Sequence, residues 1–438
     1  MSYFDLSTLK PRYMGSGDLP GSKSYANRVL LLAALARGRT WIDNLPRCND
    51  VDNMVTCLKK LGIRFKYSPI VTSLYDRPCW VNGCDGRLPL PYGCLKINNA
   101  GSVLRPLTAV LAFNHGNYII ADDSNMQRRP MGDLLTALKR LGVNVHCDRE
   151  DGYPPITIKP MPAHRYEPLR TTIRGNTSSQ FLSALLIALG NTGRTVDIEL
   201  EGMLISKPYI HLTLALMKRF GVEVTQQGET HFHIVAGQHY VSPGRVRIEK
   251  DVTAASYFLA AGAICGSPVK VTGIDHKHCL QGDIRFLDYL RGMGVDVNIN
   301  HDQIEVRRTR PHLVPIDADV GDIPDAAMTL AILAIFANGT STLRNIRSWR
   351  FKESNRIEAM AEGLRKVGVS VETGDDFIRI KPKAKLNNTV FINSYHDHRI
   401  AMCFLLLRVA NIDVYVTDSL CIYKSFPDFE RYWHNNLG

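Results

Sequence analysis

Cationic side chains recur beside the predicted helix starts of this 438-residue chain. Lys23 and Arg28 flank the start of the first apolar segment. Arg105 lies in the second segment, and Arg399 opens the last. Arginine presents a planar fork that matches carboxylates and phosphates, while lysine acts as a compact point charge. Their recurrence at equivalent positions indicates binding of anionic ligands more than scattered surface charge.

Four further cations fall in or near predicted loops: Arg129, Lys352, Arg356 and Lys424. Lys352 and Arg356 are four residues apart and would share a face on a helix. The net charge of +11 also suits a nucleic-acid-binding protein. However, the cations are dispersed and form no long basic block, which favours an enzyme that gathers charge around anionic substrates.

Six apolar segments must position these groups, and they are predicted to be buried helices because they are apolar on all sides. They span residues 24–36, 102–113, 178–189, 253–264, 325–337 and 398–410. Each segment begins with polar residues, mostly Ser, Thr or Asp, which commonly cap helices. Helix amino termini also bind anions through their free N–H groups and dipole. The sequence leaves both interpretations open.

A second, amphipathic helix follows each of the first five apolar segments and has basic residues near its end, followed by an apolar residue, glycine and an aliphatic residue. The glycines, 73 to 80 residues apart, are Gly62, Gly142, Gly221, Gly294 and Gly368. Each glycine is typical of a left-handed helix cap, and a strand is predicted to follow it. Six units of two helices and several strands, three per half, therefore predict an α/β (α+β) fold with two similar domains.

The sixth unit ends without the glycine and closing strand of the others. We therefore predict that residues 1 to about 18 complete it. Domain I would then comprise residues 1–19 and 249–438, and domain II residues 20–248.

Several functional classes are disfavoured. The amino terminus lacks the pattern of a signal peptide, and no apolar run reaches the roughly 20 residues of a membrane span. The ten cysteines show no paired spacing, which predicts free thiols in a cytoplasmic protein. His276 and Cys279 lack the second ligand pair typical of a zinc site, and Gly21-Ser-Lys-Ser lacks the spacing of a phosphate loop. These residues therefore favour neither a zinc site nor a phosphate loop.

Ten segments resemble, in order, the motifs of 5-enolpyruvylshikimate-3-phosphate synthases. The first is Pro20-Gly-Ser-Lys-Ser-Tyr-Ala-Asn-Arg28, and the second is Asn99-Ala-Gly-Ser-Val-Leu-Arg-Pro-Leu-Thr108. The others lie at 129–132, 178–181, 206–209, 255–258, 323–329, 350–354, 397–399 and 424–428. The resemblance therefore covers nearly the whole chain.

The resemblance implies two domains, each built from three βαβαββ units with buried parallel helices (an inside-out α/β barrel), and an active site between the domains. It also implies a reaction without a cofactor. The 5-hydroxyl of shikimate 3-phosphate adds to C2 of phosphoenolpyruvate, C3 takes a proton, and the tetrahedral intermediate then loses phosphate. The substrates are small anions, and neither nucleic acid nor a membrane is expected as a partner. The family also suggests a monomer and inhibition by glyphosate.

The resemblance assigns roles to individual residues. For phosphoenolpyruvate the implied ligands are Lys23, Gly101, Arg129, Gln180, Arg356, Arg399 and Lys424. For shikimate 3-phosphate they are Lys23, Ser24, Arg28, Ser178, Ser179, Gln180, Ser206, Tyr209, Asp325, Ser348 and Lys352, with Ser348 standing where many relatives have asparagine. The implied catalytic residues are Asp325 as the base for the hydroxyl, Glu353 as acid or base near C3, and Lys23 as a further proton donor.

Two rival functions remain open at this point. The sister enzyme that transfers enolpyruvyl to UDP-N-acetylglucosamine would need a reactive-loop cysteine and a first motif that ends in Lys-Asn, whereas this chain has Lys23-Ser24. An inactive relative that binds anions or nucleic acid would have no need for Asp325 and Glu353. Both comparisons favour the shikimate 3-phosphate reaction.

Overall fold

The computed structural model describes residues 19–70, 76–122, 129–160 and 168–431. Of these, residues 21–249 form one compact unit, called here the inserted unit. Residues 19–20 and 250–431 form the other, called here the flanking unit. The prediction that residues 1 to about 18 complete the sixth repeat lies outside the described residues.

The inserted unit alternates helices and short strands in three repeats. Its helices are α1 Lys23–Leu35, α2 Asn49–Lys60, α3 Gly101–Ala112, α4 Gly132–Arg140, α5 Ser179–Leu189 and α6 Lys207–Arg219. Its strands are β1 Arg39–Asp43, β2 Arg64–Tyr67, β3 Cys79–Asn82, β4 Tyr92–Ile97, β5 Asn117–Asp122, β6 Val145–Cys147, β7 Ile156–Ile158, β8 Leu169–Arg174, β9 Val196–Glu201, β10 Val224–Gln227, β11 His231–Ile234 and β12 Arg245–Arg247.

The flanking unit has the same kind of alternation. Its helices are α7 Val252–Cys265, α8 Phe286–Gly292, α9 Ala327–Leu333, α10 Arg356–Val367 and α11 His398–Leu405. Its strands are β13 Val269–Thr272, β14 Val295–Asn300, β15 Gln303–Arg308, β16 Asp317–Asp319, β17 Ser341–Arg344, β18 Ser370–Thr373, β19 Phe377–Lys381, β20 Thr389–Asn393 and β21 Asp413–Thr417.

The sheets confirm the repeat. The inserted unit has the strand orders β12-β1-β3-β2, β4-β5-β7-β6 and β10-β11-β9-β8, each with one parallel and two antiparallel pairs. Strand β12, from the end of this unit, completes the sheet of its first repeat. In the flanking unit the orders are β13-β15-β14, β16-β17-β19-β18 and β20-β21. The second repeat thus reads β4-α3-β5-α4-β6-β7, the predicted βαβαββ unit.

The six predicted apolar helices are buried, as expected from their composition. In α7 every residue is buried, and α1, α3, α5, α9 and α11 are buried along almost their whole length. Two of the predicted helices differ from the structure at their ends. The fifth helix begins at Ala327, after a turn that contains Asp325, and passes into 3-10 helix at Ala334. The sixth passes into 3-10 helix at Leu406, since a final turn often tightens in this way.

The five glycines of the repeated pattern all adopt positive φ, from 79° at Gly294 to 108° at Gly368. This is the left-handed conformation that L side chains disfavour, so glycine ends each surface helix and turns the chain toward the next strand. The prediction made from glycine spacing is therefore confirmed.

Within the described part of the chain, no helix is both long and apolar enough to cross a membrane. All ten cysteines are described, and each is a free thiol. Burial raises the pKa of Cys48 and Cys403 to about 12, which keeps these thiols neutral and unreactive.

Candidate active site

The inserted unit places its candidate ligands at the starts of α1, α3, α5 and α6. Helices α1 and α3 begin without a side-chain cap. The Ser178 hydroxyl, in contrast, caps α5 by accepting a hydrogen bond from the backbone N–H of Gln180 at 3.3 Å. Uncapped first-turn N–H groups are available to an anion. The polar residue before α5 therefore serves as a helix cap. Helices α1 and α3 have no such cap, and their first N–H groups can bind an anion.

Lys23 is the first residue of α1 and is almost fully buried. Its Nζ lies 3.1 Å from a carboxylate oxygen of Asp50, which is also buried. The same carboxylate oxygen accepts from the Ser102 hydroxyl at 3.4 Å, and that hydroxyl accepts from the Asn27 amide at 2.9 Å. Asp50 therefore joins the first residue of α1 to Ser102 in the first turn of α3.

Gly101, the first residue of α3, lies where two predicted ligand-binding residues, Arg129 and Gln180, meet Arg105. A methyl group at this position would lie 2.8 Å from an Arg129 guanidinium nitrogen, 2.9 Å from one of Arg105 and 3.5 Å from the Gln180 amide oxygen. Arg105 donates to that Gln180 oxygen, and Arg129 donates to the Asn99 side chain at 3.1 Å. This group of four residues combines two guanidinium ions, an amide and a helix start in a space that only glycine leaves open.

Replacing Gly101 by alanine is expected to raise the KM for the anionic substrate roughly 10- to 100-fold, because a small misplacement of aligned cations has effects of this order. The fold should survive, since the displaced atoms are the ends of flexible side chains and alanine favours helix. Steady-state kinetics measure this change. Gly93→Ala is the matched control, because a methyl group there meets nothing closer than 3.9 Å. Equal kinetics for the two variants would show that the space at Gly101 has no role in binding.

Arg28 joins three helices of the inserted unit. Its Nε donates to the Thr213 hydroxyl on α6 at 2.8 Å, one Nη donates to the Ser24 carbonyl at 3.0 Å, and the other to the Ser183 hydroxyl on α5 at 3.4 Å. The Tyr209 ring lies 5.8 Å from the guanidinium carbon. Burial lowers the pKa of Arg28 to about 10, so it remains cationic at neutral pH.

The remaining predicted residues of this unit lie nearby in the same helices. Ser24 is in the first turn of α1, and Ser179 and Gln180 are in the first turn of α5. Ser206 precedes α6 in a left-handed conformation, with φ of 54°. A left-handed serine costs energy, and such strain is found where a side chain must take a particular direction. Arg28 donates a hydrogen bond to the Tyr209 carbonyl at 3.4 Å and thereby links α1 to the beginning of α6.

The flanking unit gathers its candidate site residues around Arg356, whose side chain is fully buried at the start of α10. Its Nη1 lies 2.8 Å from Asp325, and its Nη2 lies 3.0 Å from Glu353. Asp397 receives two bonds from it, at 2.8 Å from Nε and 3.2 Å from Nη2. One guanidinium therefore fixes three carboxylates.

Three more cations complete this cluster. Arg399 lies 3.1 Å from one Asp325 oxygen, and Lys352 lies 3.7 Å from the other. Lys424 lies 3.9 Å from Glu353. Four cations thus face three carboxylates in a largely buried space. An anionic ligand that binds here would compete with the carboxylates for these cations.

Lys352 and Arg356 do not share a helix face. Lys352 and Glu353 lie in the bend before α10, and only Arg356 is helical. The prediction that these cations lie in or near a loop thus holds for Lys352, and the bend brings both cations to Asp325. Ser348 is buried on the preceding 3-10 helix, Arg347–Phe351, and among the described residues its side chain joins none of the ion pairs.

Burial and neighbouring charges strongly shift the pKa of Asp325. Burial alone would raise its pKa, but Arg399, Lys352 and Arg356 outweigh burial and hold the pKa of Asp325 well below its usual range. Burial lowers the pKa of Lys352, and Asp325 opposes that shift. Asp325 is therefore an anion in the ligand-free protein. Anionic ligands that neutralise its cations would raise its pKa toward that of a useful base.

Two residues of the site were missed or only partly recognised in the sequence. Asp397 was recognised as a helix start, and it does cap α11 by accepting from the Arg399 amide at 3.0 Å. Its second role, as the bidentate partner of Arg356, had no sequence signal because the two residues are 41 positions apart. Asp50 likewise had none, since it resembles any acidic residue in the first turn of a surface helix.

Comparison with known proteins decides the family. A family model described as EPSP synthase (3-phosphoshikimate 1-carboxyvinyltransferase) matches residues 11–433. The chain belongs to the EPSP synthase family. It is 47% identical over 433 residues to a 3-phosphoshikimate 1-carboxyvinyltransferase of Laribacter hongkongensis, with 98% of each chain covered. It is 46% identical over 440 residues to one of Burkholderia cenocepacia, with 99% of each covered.

Solved structures show the same fold. An EPSP synthase of Acinetobacter baumannii aligns with a TM-score of 0.77 and 22% identity, covering 98% of this chain and 96% of that one. The enolpyruvyl transferase NikO of Streptomyces tendae aligns with a TM-score of 0.74 and 17% identity, covering 97% and 95%. The α/β fold and the recognition of the EPSP synthase family from sequence motifs are thus confirmed.

Proposed function

We propose that this protein transfers the enolpyruvyl group of phosphoenolpyruvate to the 5-hydroxyl of shikimate 3-phosphate and releases phosphate. The observation that carries the proposal is the Arg356 cluster, in which a buried carboxylate, Asp325, is held by three cations that anionic substrates would engage. The reaction serves the synthesis of chorismate and aromatic amino acids. Membership of the EPSP synthase family supports the same reaction.

In the addition step, Asp325 accepts the proton of the 5-hydroxyl while the hydroxyl oxygen forms a bond to C2 of phosphoenolpyruvate. C3 takes a proton at the same stage, which gives a tetrahedral intermediate with a methyl group. Glu353, held by Arg356 and near Lys424, is our candidate for the group that works at C3. Each proton transfer of this kind typically contributes about 10² to 10⁴ in rate.

In the elimination step, C3 returns a proton and the bond between C2 and the phosphate oxygen breaks. The leaving phosphate accumulates charge, so cations around it lower the barrier. We assign this task to Lys23, Arg129, Arg399 and Lys424, and we also propose that Lys23 protonates the leaving group. Arg28, Ser178, Ser179, Gln180, Ser206, Tyr209, Ser348 and Lys352 are proposed to hold shikimate 3-phosphate.

The proposal needs no metal or organic cofactor, because the cations of the protein supply the positive charge. Ten free thiols suit the reducing cytoplasm, where we place the protein. We expect a monomer.

Mass spectrometry of the reaction mixture tests the proposed substrates. With phosphoenolpyruvate present, shikimate 3-phosphate should gain the mass of one enolpyruvyl group, and UDP-N-acetylglucosamine should not. Modification of the nucleotide sugar instead would identify the sister reaction. Modification of neither, by folded protein, would contradict the proposal.

Glyphosate is expected to inhibit competitively with phosphoenolpyruvate, because Gly101 leaves open the space between Arg129, Arg105 and Gln180. Initial rates at several fixed concentrations of phosphoenolpyruvate measure this. Undiminished turnover in millimolar glyphosate at low phosphoenolpyruvate would contradict the expected shape of this part of the site.

A further inference from the structure

Asp283 is a buried carboxyl group of the flanking unit to which the proposed reaction assigns no role. It lies on the 3-10 helix Gly282–Arg285, and only 6% of the residue is exposed. One of its oxygens accepts from the Thr253 hydroxyl in the first turn of α7. The other oxygen, Oδ1, accepts no hydrogen bond from any residue in the described ranges.

The position of Asp283 is fixed by bonds between its helix and the start of α7. The Gln281 side chain accepts from the Val252 amide at 3.2 Å and donates to the Lys250 carbonyl at 2.7 Å. Asp251 caps α7 by accepting from the Ala254 amide at 3.1 Å. The carboxyl of Asp283 is therefore held in place by its surroundings and cannot turn toward solvent without breaking this arrangement.

The charged groups that act on Asp283 include Asp325 and Arg399 of the Arg356 cluster, together with Asp251 at the start of α7. Asp325 and Asp251 repel its anionic form, and Arg399 and the Thr253 bond favour it. The charged residues that follow Asp283 in the sequence form ion pairs with other residues. Arg285 pairs with Asp322, and Asp288 pairs with Arg291 at 3.1 Å. Burial, followed by the Asp325 charge, raises the pKa of Asp283 to about 6.

We propose that Asp283 is a positioning residue for the transfer reaction, whose buried negative charge acts on Asp325 and Arg399. This inference rests on the proposed function. The repulsion between the two carboxylates is mutual, so an ionised Asp283 raises the proton affinity of Asp325. It thereby opposes the three cations that make Asp325 a weak base. Asp283 also attracts Arg399, which then shares its charge between two carboxylates.

A buried charge of this kind costs stability. In the unfolded chain Asp283 would have the ordinary aspartate pKa of 3.8, against about 6 in the folded protein. The folded state therefore binds more protons between these two values, and its stability falls as the pH rises through this range. An uncharged side chain at position 283 would make the folded protein more stable at neutral pH. A loss of stability of this kind is expected where a buried charge serves a function.

Asp283→Asn tests this inference, because the amide retains an oxygen that can accept from Thr253 but carries no charge. At pH 7.5 we expect kcat to fall about three- to tenfold, the size of effect that follows from a modest weakening of a general base. The KM for shikimate 3-phosphate should not change. Near pH 5, where Asp283 of the wild type is protonated, the two proteins should have similar kcat values.

Thermal unfolding of the same two proteins provides a readout that does not depend on activity. The Asn variant should melt higher than the wild type at pH 7.5, and the difference should vanish near pH 4. A purely structural role predicts the opposite, namely a loss of stability at every pH. Asp288→Asn, an exposed aspartate on the neighbouring helix α8, should change neither profile.

Thr253→Val gives an independent test if the Asn variant does not fold. Loss of the Thr253 hydroxyl removes a bond that favours the charged form, so the fall in kcat on acidification should begin at higher pH than in the wild type. If the wild type is active but the ratio of its kcat to that of the Asn variant is constant from pH 5 to 7.5, the role of Asp283 is overturned and the proposed function stands. A wild type without turnover would overturn the proposed function and this inference together.

Discussion

Asp325→Asn is expected to lower kcat by about 10² to 10⁴, because asparagine cannot accept the hydroxyl proton. The amide keeps the shape of the side chain and one oxygen for Arg356, which lies 2.8 Å from the carboxylate. The KM values should change less than kcat, since the cations that bind the substrates remain. Steady-state rates of phosphate release measure both quantities.

Asp317→Asn is a matched control for this variant. Asp317 lies in the same unit and pairs with Arg344 on the surface, and its side chain is mostly exposed. Exposed ion pairs contribute little to stability, so the Asp317→Asn variant should fold normally and be as active as the wild type.

The stability of the Asp325→Asn variant provides a second control. Because the pKa of Asp325 is depressed below the usual 3.8, its ion pairs stabilise the protein at neutral pH, and this contribution is lost as the pH falls below that value. The stability gap between Asn variant and wild type should therefore narrow in acid.

Arg356→Gln is expected to destabilise the protein by about 3–5 kcal/mol, because it leaves Asp325, Glu353 and Asp397 close together without their shared cation. Turnover should be lost as well, since the base and the group at C3 would both be misplaced. Denaturant unfolding at pH 7 measures the loss of stability. Unfolding at pH 4 should show a smaller loss, because protonation relieves the repulsion among the carboxylates.

The matched control is Arg365→Gln on the same helix. Arg365 lies near the end of α10, where it is exposed and donates to the Val371 carbonyl at 3.1 Å. Surface substitutions of this kind usually change stability by no more than about 0.5 kcal/mol. Similar losses for the two variants would mean that Arg356 acts only as a helix residue and not as the centre of the cluster.

The repeat was predictable from the sequence because its signals are local. A glycine such as Gly142 or Gly368 follows a few basic and apolar residues, and the positive φ it adopts depends mainly on its own lack of a side chain. Uniformly apolar helices such as α7 are similarly marked by composition alone. The cationic residues of the site could be named for the same reason, since they belong to short motifs.

The pairings within the site were not predictable because they join distant parts of the chain. Asp397 meets Arg356 only after two separate repeats have packed, and Asp283 meets Thr253 only after two helices of one repeat have packed. Lys352 was assigned to a loop region, but residue spacing alone could not show that it and Arg356 both reach Asp325. Local patterns thus identify which residues take part, and tertiary packing determines their partners and their pKa values.

The most direct measurement is phosphate release by the purified protein, given shikimate 3-phosphate and phosphoenolpyruvate together and each alone. The account predicts release only when both substrates are present, and a rate at least roughly a hundredfold lower for Asp325→Ala. Release from phosphoenolpyruvate alone, or an undiminished rate without Asp325, would contradict it.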